Sequence, residues 1–229
     1  MPLLKLTHVG LSVQGKTILQ DISFEIDSGD ILGVIGGSGS GKTSLFRTIN
    51  LLQTPTEGSI LYNDKDVLSY PPTTLRREIG YVFQKTHLFG GTVEDNLLYP
   101  YELMQQKPDW QEIKDFIGKA NLPQDVIKKK PNELSGGEQQ RIALIRSLIV
   151  HPRILLLDEI TASLDEYSSA VIEKLILEQN QNRNVTILFI SHNSGHTKQL
   201  AKKILCMENG TISCFAAKEN YYEREHHHE

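Results

Sequence analysis

The stretch of sequence that decides the fold reads Gly36-Gly37-Ser38-Gly39-Ser40-Gly41-Lys42-Thr43. The apolar residues 31–35 before it predict a short buried strand, and residues 43–52 after it predict a helix. Glycines let a backbone wrap around a phosphate chain and point its N–H groups inward. The positive end of the following helix faces the same anion. The pattern G-x-x-x-x-G-K-[ST] therefore predicts a phosphate-binding loop in an α/β fold.

The residues of this loop have separate expected roles. Lys42 supplies a point charge for the β- and γ-phosphates of a nucleotide, and Thr43 supplies a hydroxyl for Mg²⁺. A flexible surface loop is the alternative, but the strand before the loop and the helix after it favour a nucleotide site. The other residues expected to line that nucleotide are Gly36, Gly37, Ser38, Gly39, Ser40, Gly41 and Ser44.

A second apolar run ends in two carboxylates. Residues 154–157 predict a buried strand, and Asp158 and Glu159 follow it directly. Beside a phosphate loop, Asp158 is expected to hold Mg²⁺ directly or through water. Glu159 is expected to face the γ-phosphate, where a carboxylate can orient and deprotonate a water molecule. A polar strand end entering a loop is common, so this interpretation depends on the phosphate loop.

A second glycine-containing helix start reads Leu134-Ser135-Gly136-Gly137-Glu138-Gln139-Gln140-Arg141. Ser135 and Glu138 have the spacing of a capping box, in which each side chain bonds the backbone N–H of the other residue. Glycines at a helix start also provide a second place for an anion. A plain helix cap is the alternative interpretation of this segment.

With these motifs the chain resembles the ATP-binding-cassette (ABC) ATPases, over about residues 3–215. The segment 134–138 resembles their signature motif and stands just ahead of the acidic strand, as theirs does. Three further pieces occur in the family's order, namely a Q-loop glutamine at Gln84, a D-loop at Ser163-Leu164-Asp165 and a switch histidine at His192. His192 and His196 also have the i, i+4 spacing of a metal pair, but no third ligand is evident.

The resemblance implies an ATPase with ATP and Mg²⁺ as cofactors. Glu159 is the implied general base, Gln84 reaches Mg²⁺ and the attacking water, and His192 contacts the γ-phosphate. It also implies a head-to-tail homodimer, in which ATP on Lys42 of one chain is covered by the signature segment of the other. The residues implied to contact nucleotide outside the phosphate loop are Ser135, Gly136, Gly137, Glu138 and Asp165.

The fold class is predicted to be α/β, with a RecA-like core, an antiparallel N-terminal β subdomain and a helical insert. We expect one nucleotide-binding domain over residues 1–229. The β subdomain and core take residues 1–84 and 151–215, and the helical subdomain takes residues 85–150. Residues 216–229 are predicted to be a tail, in which His226–His228 are given no function. Within the insert, Thr92 is a predicted cap, and one helical face is predicted from Trp110, Ile113, Phe116 and Ile117.

Composition limits the functional classes. The net charge of −4 argues against a protein whose main ligand is nucleic acid. No stretch approaches the roughly 18 apolar residues of a membrane helix, and residues 1–9 lack a signal-peptide pattern. We therefore expect a cytoplasmic protein with no direct membrane insertion, held on the inner face of the membrane by a separate transmembrane permease. Cys206 and Cys214, which flank the turn Asn209–Gly210, are expected to be reduced thiols.

One position departs from the family. Many members stack an aromatic ring on adenine near the end of the first strand, where this chain has Val13, Gln14 and Gly15. We expect weaker stacking on the base and looser purine selectivity. Tyr62 or Tyr81 could supply the ring instead, and the sequence does not decide between them.

Several functions are compatible with a phosphate loop. A soluble ABC ATPase acting on ribosomes or DNA is the main alternative to a transporter subunit, although such proteins usually carry two cassettes or a long insertion. A P-loop kinase has no use for the segment 134–138, and an inert scaffold would be expected to lack Lys42 or Glu159. The run 86–97 resembles a bacterial subgroup proposed to export iron. Direction of transport cannot be predicted from these residues.

Overall fold

A computed structural model describes residues 1–191 and 194–225. Their chain forms two β-sheets and eight α-helices, joined by turns and three short 3₁₀ helices. The strands are β1 (Leu4–Val13), β2 (Lys16–Ile26), β3 (Ile31–Gly36), β4 (Glu57–Tyr62), β5 (Lys65–Asp66), β6 (Ile79–Val82), β7 (Ile154–Asp158), β8 (Thr186–Ile190), β9 (Lys203–Glu208) and β10 (Thr211–Ala217). The α-helices are α1 (Lys42–Ile49), α2 (Pro72–Glu78), α3 (Val93–Met104), α4 (Trp110–Lys119), α5 (Gly136–Leu148), α6 (Glu166–Arg183), α7 (Ser194–Leu200) and α8 (Lys218–Glu225).

The N-terminal sheet is antiparallel and has the order β2-β1-β4-β5. Its central strand β1 pairs with β2 from Leu4 opposite Ile26 to Val13 opposite Lys16. Buried and exposed residues partly alternate along both strands, as expected of a sheet that faces the core on one side and solvent on the other. This confirms the predicted antiparallel β region.

The second sheet has six strands in the order β10-β9-β3-β8-β7-β6. Strands β9, β3, β8, β7 and β6 run parallel, and β10 adds an antiparallel edge. Every residue of β7 and β8 is buried, which explains their unbroken apolar sequences. Since these strands are parallel, the segments after β3, β6, β7 and β8 all leave the sheet at the carboxyl ends of the strands. The phosphate loop, the Q-loop glutamine and the acidic pair follow β3, β6 and β7 and therefore lie on that side of the sheet.

Two hydrophobic cores lie against the second sheet. On β7, Leu155 and Leu157 belong to one core, and Ile154 and Leu156 belong to the other. Alternate residues of a strand point to opposite faces, so the cores cover the two faces of the sheet. One core also contains the apolar residues of α3, α4 and α5, and the other contains those of the antiparallel sheet and α1.

The predicted helical segment lies between β6 and β7 and contains α3, α4 and α5. Thr92 caps α3 in a reciprocal capping box with Asp95, as predicted for this residue. On α4, Ile113, Phe116 and Ile117 are buried, but Trp110 is 39% exposed. The four residues share one helical face by spacing, as predicted, but Trp110 is the first residue of α4 and does not share the burial of the other three.

Two predicted boundaries also change. Helix α1 ends at Ile49 rather than residue 52, because Leu51 takes the left-handed backbone conformation with φ 52°. Residues 216–225 are not the predicted tail, since Ala216 and Ala217 complete β10 and residues 218–225 form α8. The histidines of residues 226–229 lie outside the described residues. Within the ranges 1–191 and 194–225, no helix combines the length and apolar character needed to cross a membrane.

Candidate functional site

The phosphate loop follows β3 and leads directly into α1. Gly36, Gly39 and Gly41 all have positive φ angles, of 149°, 78° and 101°. At Gly36 an added Cβ would lie 2.2 Å from the carbonyl oxygen of Met207, so the neighbouring strand β9 leaves no room for a side chain. Gly41 begins α1 without a side-chain cap, and the first N–H groups of this helix are therefore not occupied by a capping side chain.

The Lys42 side chain folds back over its own loop. Its Nζ donates to the carbonyl oxygens of Gly36 at 2.9 Å and Gly37 at 2.8 Å, and to Ser40 Oγ at 3.4 Å. Burial lowers the pKa of Lys42 from its ordinary value, and the negative charges of Glu159 and Asp158 oppose that shift. The ammonium group is thus held at the loop by carbonyl dipoles, which a phosphate oxygen can replace as a stronger partner.

The loop is also held from outside by the turn between β9 and β10. The Gly210 N–H donates to the Ser40 carbonyl at 3.1 Å, and Gln20 N–H donates to the Gly210 carbonyl at 2.8 Å. Asn209 and Gly210 both have positive φ angles, as the predicted hairpin turn requires. No motif in the sequence indicates this contact, because it joins distant segments through backbone atoms alone.

Asp158 lies at the carboxyl end of β7 and is only 3% exposed. Its Oδ1 accepts from Thr43 Oγ1 at 3.0 Å, and its Oδ2 accepts from the Tyr81 hydroxyl at 2.7 Å. The structure therefore brings together the two residues that the sequence assigns to Mg²⁺ from the phosphate loop and the acidic strand. The hydroxyl of Tyr81 was not among the predicted site groups.

Glu159 follows with a φ of 51°, which is unusual for a residue with a side chain. This left-handed conformation costs free energy for a residue with a Cβ, and Glu159 adopts it directly after β7. Gln84 Nε2 donates to Glu159 Oε2 at 2.7 Å, so the predicted Q-loop glutamine meets the predicted base directly. His192 lies outside the described residues, and its predicted role stays a prediction.

The signature segment forms the predicted helix start. Ser135 N–H donates to Glu138 Oε2 at 2.8 Å, and Glu138 N–H donates to Ser135 Oγ at 3.3 Å. Hydrogen bonds to the carboxylate from the backbone N–H and the side chain of Ser135 lower the pKa of Glu138 from its ordinary value. Ser135 and Gly136 are exposed. The segment is therefore both a well-formed helix cap and a surface open to a ligand or partner.

Asp165 begins α6 and is joined to the signature helix. Its carboxylate accepts from Ser168 N–H and from Ser168 Oγ, both at 2.8 Å, and these bonds lower the pKa of Asp165. Arg141 Nη1 donates to the same Ser168 hydroxyl at 3.0 Å. An added Cβ on Gly137 would lie 2.8 Å from Ser168 Oγ, so α5 and α6 pack closely at their first turns.

Gln140 is a second residue that the motifs alone do not explain. It is 4% exposed, its Nε2 donates to the Phe83 carbonyl at 3.3 Å, and its Oε1 accepts from Thr86 Oγ1. Gln140 therefore fastens the segment carrying Gln84 to the signature helix α5. Only its unusual position, a polar side chain on the buried face of a helix, indicates such a role in the sequence.

Neither tyrosine proposed as an alternative adenine partner is placed to stack on a base. Tyr62 is 1% exposed, and its hydroxyl donates to Glu78 Oε2 at 2.8 Å, so its ring belongs to the core. Tyr81 packs edge-on against Phe46 and donates to Asp158. Burial therefore excludes Tyr62, and Tyr81 is engaged with Phe46, Phe83 and Asp158 instead. Val13 is 41% exposed at the end of β1.

Comparison with known proteins agrees with this geometry. The family model described as ABC transporter matches residues 19–162. The chain belongs to this family. The similar solved structures include the ATP-binding cassette MJ0796 in a post-hydrolysis state with ADP and Pi, with a TM-score of 0.84, 25% identity and coverage of 94% of this chain and 98% of that one. Another is cbiO1 from Clostridium perfringens, with a TM-score of 0.86, 24% identity and coverage of 98% and 92%.

Similar sequences come from several transport systems. FetA of Escherichia coli, described as a probable iron export ATP-binding protein, is 36% identical over 203 residues, which cover 89% of this chain and 90% of the relative. The methionine import ATP-binding protein MetN of Bifidobacterium longum is also 36% identical, over 85% of this chain and 50% of its own length. The chain is therefore an ABC ATPase of the ATP-binding subunit type, with the predicted ABC ATPase fold and ATP as its nucleotide.

Proposed function

We propose that this ABC ATPase hydrolyses ATP in a head-to-tail dimer and thereby drives a separate transmembrane permease. One observation carries the proposal: the phosphate loop, the Thr43–Asp158 pair and the Gln84–Glu159 pair meet at one edge of the parallel sheet. In this proposal the loop holds the phosphates, Thr43 and Asp158 hold a hard cation, and Glu159 acts as the base beside them.

The side chains at Asp158 fit Mg²⁺. Neighbouring oxygen ligands of an octahedral magnesium ion, with bonds of about 2.0–2.1 Å, lie roughly 2.9 Å apart. Thr43 Oγ1 and Asp158 Oδ1 are 3.0 Å apart, and both are oxygen donors of the kind that Mg²⁺ prefers. We therefore infer that Thr43 and Asp158 hold the ion, with Gln84 reaching toward it. When bound, Mg²⁺ neutralises charge on the β- and γ-phosphates.

The remaining residues supply the rest of the reaction. Lys42 exchanges its bonds to the Gly36 and Gly37 carbonyls for bonds to phosphate oxygens. The first N–H groups of α1 bind the same phosphates. Glu159 accepts a proton from the attacking water, and Gln84 orients its carboxylate by the hydrogen bond to Oε2. We assign His192 to the γ-phosphate, and Asp165 and Glu138 to the surface that faces the nucleotide of the other subunit.

A dimer follows from the second glycine-containing helix start. The exposed start of α5 provides backbone N–H groups for an anion but no lysine. In a two-fold dimer this surface of one chain can cover the nucleotide held by the phosphate loop of the other, and symmetry produces two identical sites. We therefore propose that Ser135, Gly136 and Gly137 bind ATP only across the subunit interface.

The ATPase has a groove between its helical segment and its sheet that is suitable for docking a permease. This groove is a cavity of about 450 Å³ beside β6, α3 and α5. Leu103, which is 67% exposed, Tyr99 and Phe83 make one part of its lining apolar, and Arg76, Arg77 and Arg146 make another part basic. A short permease helix with an apolar face and a carboxylate fits these two parts. Bound in this way, the ATPase is peripheral on the cytoplasmic face of the membrane.

Iron export is the transport function that we propose to test first. FetA is matched over most of its own length, whereas MetN and the carnitine transport protein OpuCA of Listeria monocytogenes are matched over 50% and 55% of theirs. The identities of 34–36% are nearly equal, so sequence similarity does not discriminate among these substrates. We therefore assign substrate choice to the permease. The alternative is a soluble ABC ATPase that acts on ribosomes or DNA.

Glu159→Gln tests the catalytic part of the proposal. We expect hydrolysis to fall by at least about 100-fold, because a positioned base contributes roughly 10²–10⁴-fold, while ATP binding is kept. Gel filtration with ATP and Mg²⁺ should show a stable dimer of this variant. Glu178→Gln, which alters a surface partner of Lys119, is the control and should hydrolyse ATP normally. Normal hydrolysis by Glu159→Gln would show that Glu159 is not the base.

Leu103→Asp tests the permease part. It places a charge in the apolar part of the groove, so we expect the ATPase to leave the membrane fraction of its host cells while its hydrolysis in isolation is unchanged. Leu68→Asp is the matched control, because Leu68 is 57% exposed and lies outside the groove. If the wild-type protein is found with ribosomes or DNA rather than membranes, the soluble alternative is correct.

A further inference from the structure

Tyr81 connects the acidic edge of the sheet to the side chains behind it. It lies on β6, and its hydroxyl donates to Asp158 Oδ2 at 2.7 Å. The ring is held on two sides, by Phe83 at a centroid distance of 4.5 Å and by Phe46 edge-on at 6.5 Å. The hydroxyl therefore has a defined position relative to the carboxylate, set by the contacts of its ring with Phe46 and Phe83.

The hydrogen bonds divide the Asp158 carboxylate between two donors. Oδ2 is occupied by the Tyr81 hydroxyl, and Oδ1 is directed to Thr43 Oγ1, the other proposed ligand of Mg²⁺. Asp158 is 3% exposed, so solvent has little access to its carboxylate, and these two hydroxyls are the side-chain donors seen on it among the described residues. A carboxylate held at one oxygen presents the other in a constant direction, which is how outer partners orient metal ligands.

The phenol remains a donor under ordinary conditions. Its oxygen lies 2.7 Å from Asp158 Oδ2, and a phenol carries its proton at neutral pH, so the hydroxyl is the donor of this hydrogen bond. A phenylalanine at this position would fill the same space between Phe46 and Phe83. The hydroxyl is therefore not needed to fill space, and its hydrogen-bond partner is Asp158 of the proposed magnesium site.

We propose that Tyr81 is a positioning residue for magnesium binding: its hydroxyl holds Asp158 Oδ2 and thereby aims Oδ1 at the ion. This inference rests on the proposed role of Thr43 and Asp158 as magnesium ligands. Tyr81 itself touches neither the ion nor the nucleotide. It acts through Asp158, and it sets how tightly the ATP-loaded site holds a divalent cation rather than how fast the base works.

Tyr81→Phe in the full chain is the test. Loss of an outer partner of a metal ligand typically weakens metal affinity by about 10- to 100-fold. We therefore expect the Mn²⁺ affinity of the complex with a non-hydrolysable ATP analogue, measured by electron paramagnetic resonance, to fall about 10-fold. The Mg²⁺ concentration for half-maximal hydrolysis should rise in parallel, with the rate at saturating Mg²⁺ and the affinity for ATP in EDTA unchanged.

Tyr70→Phe is the matched control, because the Tyr70 hydroxyl donates to the Tyr62 carbonyl at 3.0 Å, outside the site. It should leave Mn²⁺ affinity unchanged. Asp158→Asn tests the proposed magnesium site separately from the role of Tyr81. If Asp158→Asn weakens Mn²⁺ binding and Tyr81→Phe does not, the inference about Tyr81 is wrong. If Asp158→Asn has no effect either, the proposed metal site itself is wrong.

Discussion

The two glycine-containing helix starts of this chain look alike in sequence but differ in structure. Helix α1 begins at Gly41 without a side-chain cap, next to a buried lysine that its own loop holds in place. Helix α5 is capped by the side chain of Ser135, and Ser135 and Gly136 are exposed. The start of α1 leaves its backbone N–H groups open to an anion. The start of α5 is capped by its own side chain and needs no anion for stability.

The difference shows how one chain can hold two half-sites. The charge of Lys42, the proposed cation ligands and the proposed base lie together at the carboxyl ends of the parallel strands, so this half-site lacks only a cover over the nucleotide. The signature segment is capped, and the contact of Arg141 with Ser168 joins its helix to α6, so its exposed start is preformed for a ligand held by another chain. The comparison predicts that damage to the two helix starts affects different steps.

Among the variants of this comparison, Ser135→Arg should lower the rate of ATP hydrolysis most, while leaving the affinity for ATP unchanged. Its bulk and charge block the cover over the partner's nucleotide, and loss of a contact to the transition state typically lowers the rate by about 10²–10³-fold. ATP affinity, measured with a fluorescent nucleotide, should match the wild type because the phosphate loop is intact. Wild-type hydrolysis under dimerising conditions would mean that the segment is only a helix cap.

Lys42→Ala should instead weaken ATP binding itself. Hydrogen bonds to charged groups are worth about 1.5–3 kcal/mol, so we expect affinity to fall roughly 10- to 100-fold. The measurement is a titration with the same fluorescent nucleotide, with Lys202→Ala as the control, since Lys202 contacts the Gly29 carbonyl away from the loop. Unchanged affinity would show that the phosphate loop has been misinterpreted.

Mixing the two variants sharpens the comparison further. In a heterodimer, the intact phosphate loop of the Ser135→Arg chain meets the intact signature segment of the Lys42→Ala chain, and the other site carries both defects. Random pairing of equal amounts should restore about one quarter of wild-type hydrolysis if one whole site is sufficient. Recovery in the mixture, with neither variant active alone, would exclude a site built within one chain.

Val13→Trp should have the smallest effect. Val13 is 41% exposed at the end of β1, and neither Tyr62 nor Tyr81 is placed to stack on a base. A tryptophan that reaches the adenine should tighten ATP binding by about 0.5–1.5 kcal/mol, or roughly 2- to 10-fold. The check is the ATP affinity relative to that of Val13→Leu, which adds apolar bulk without a ring. Equal affinities in the two variants would place the base elsewhere.

Much of this could be predicted because the motifs are local. The run before Asp158 predicts a buried strand, and parallel strands end at one edge, so Lys42, Asp158 and Gln84 were expected to converge. The capping boxes at Thr92 and Ser135 involve residues three apart, which sequence spacing determines. The family resemblance supplied the roles of these residues, which the fold then made geometrically reasonable.

The missed features depend on contacts between distant segments. Gln140 reaches the Phe83 carbonyl, Arg141 reaches Ser168, and Tyr81 reaches Asp158, each across a gap in sequence that no local pattern encodes. Residues 218–225 look like a polar tail because most of them are charged or polar, yet α8 lies against β9 and β10 and Tyr221 packs on a core. Tertiary placement, rather than local preference, decides these cases.

The hairpin that holds the phosphate loop has a consequence for how the protein is made. Ser40 belongs to a part of the chain that leaves the ribosome early, but its partner Gly210 and the strand β9 beside Gly36 emerge much later. A nascent chain that has exposed every motif up to Ser191 still lacks this neighbour. We therefore expect the phosphate loop to reach its final conformation only after residue 210 has left the ribosome, which would keep a partly translated subunit from binding ATP tightly.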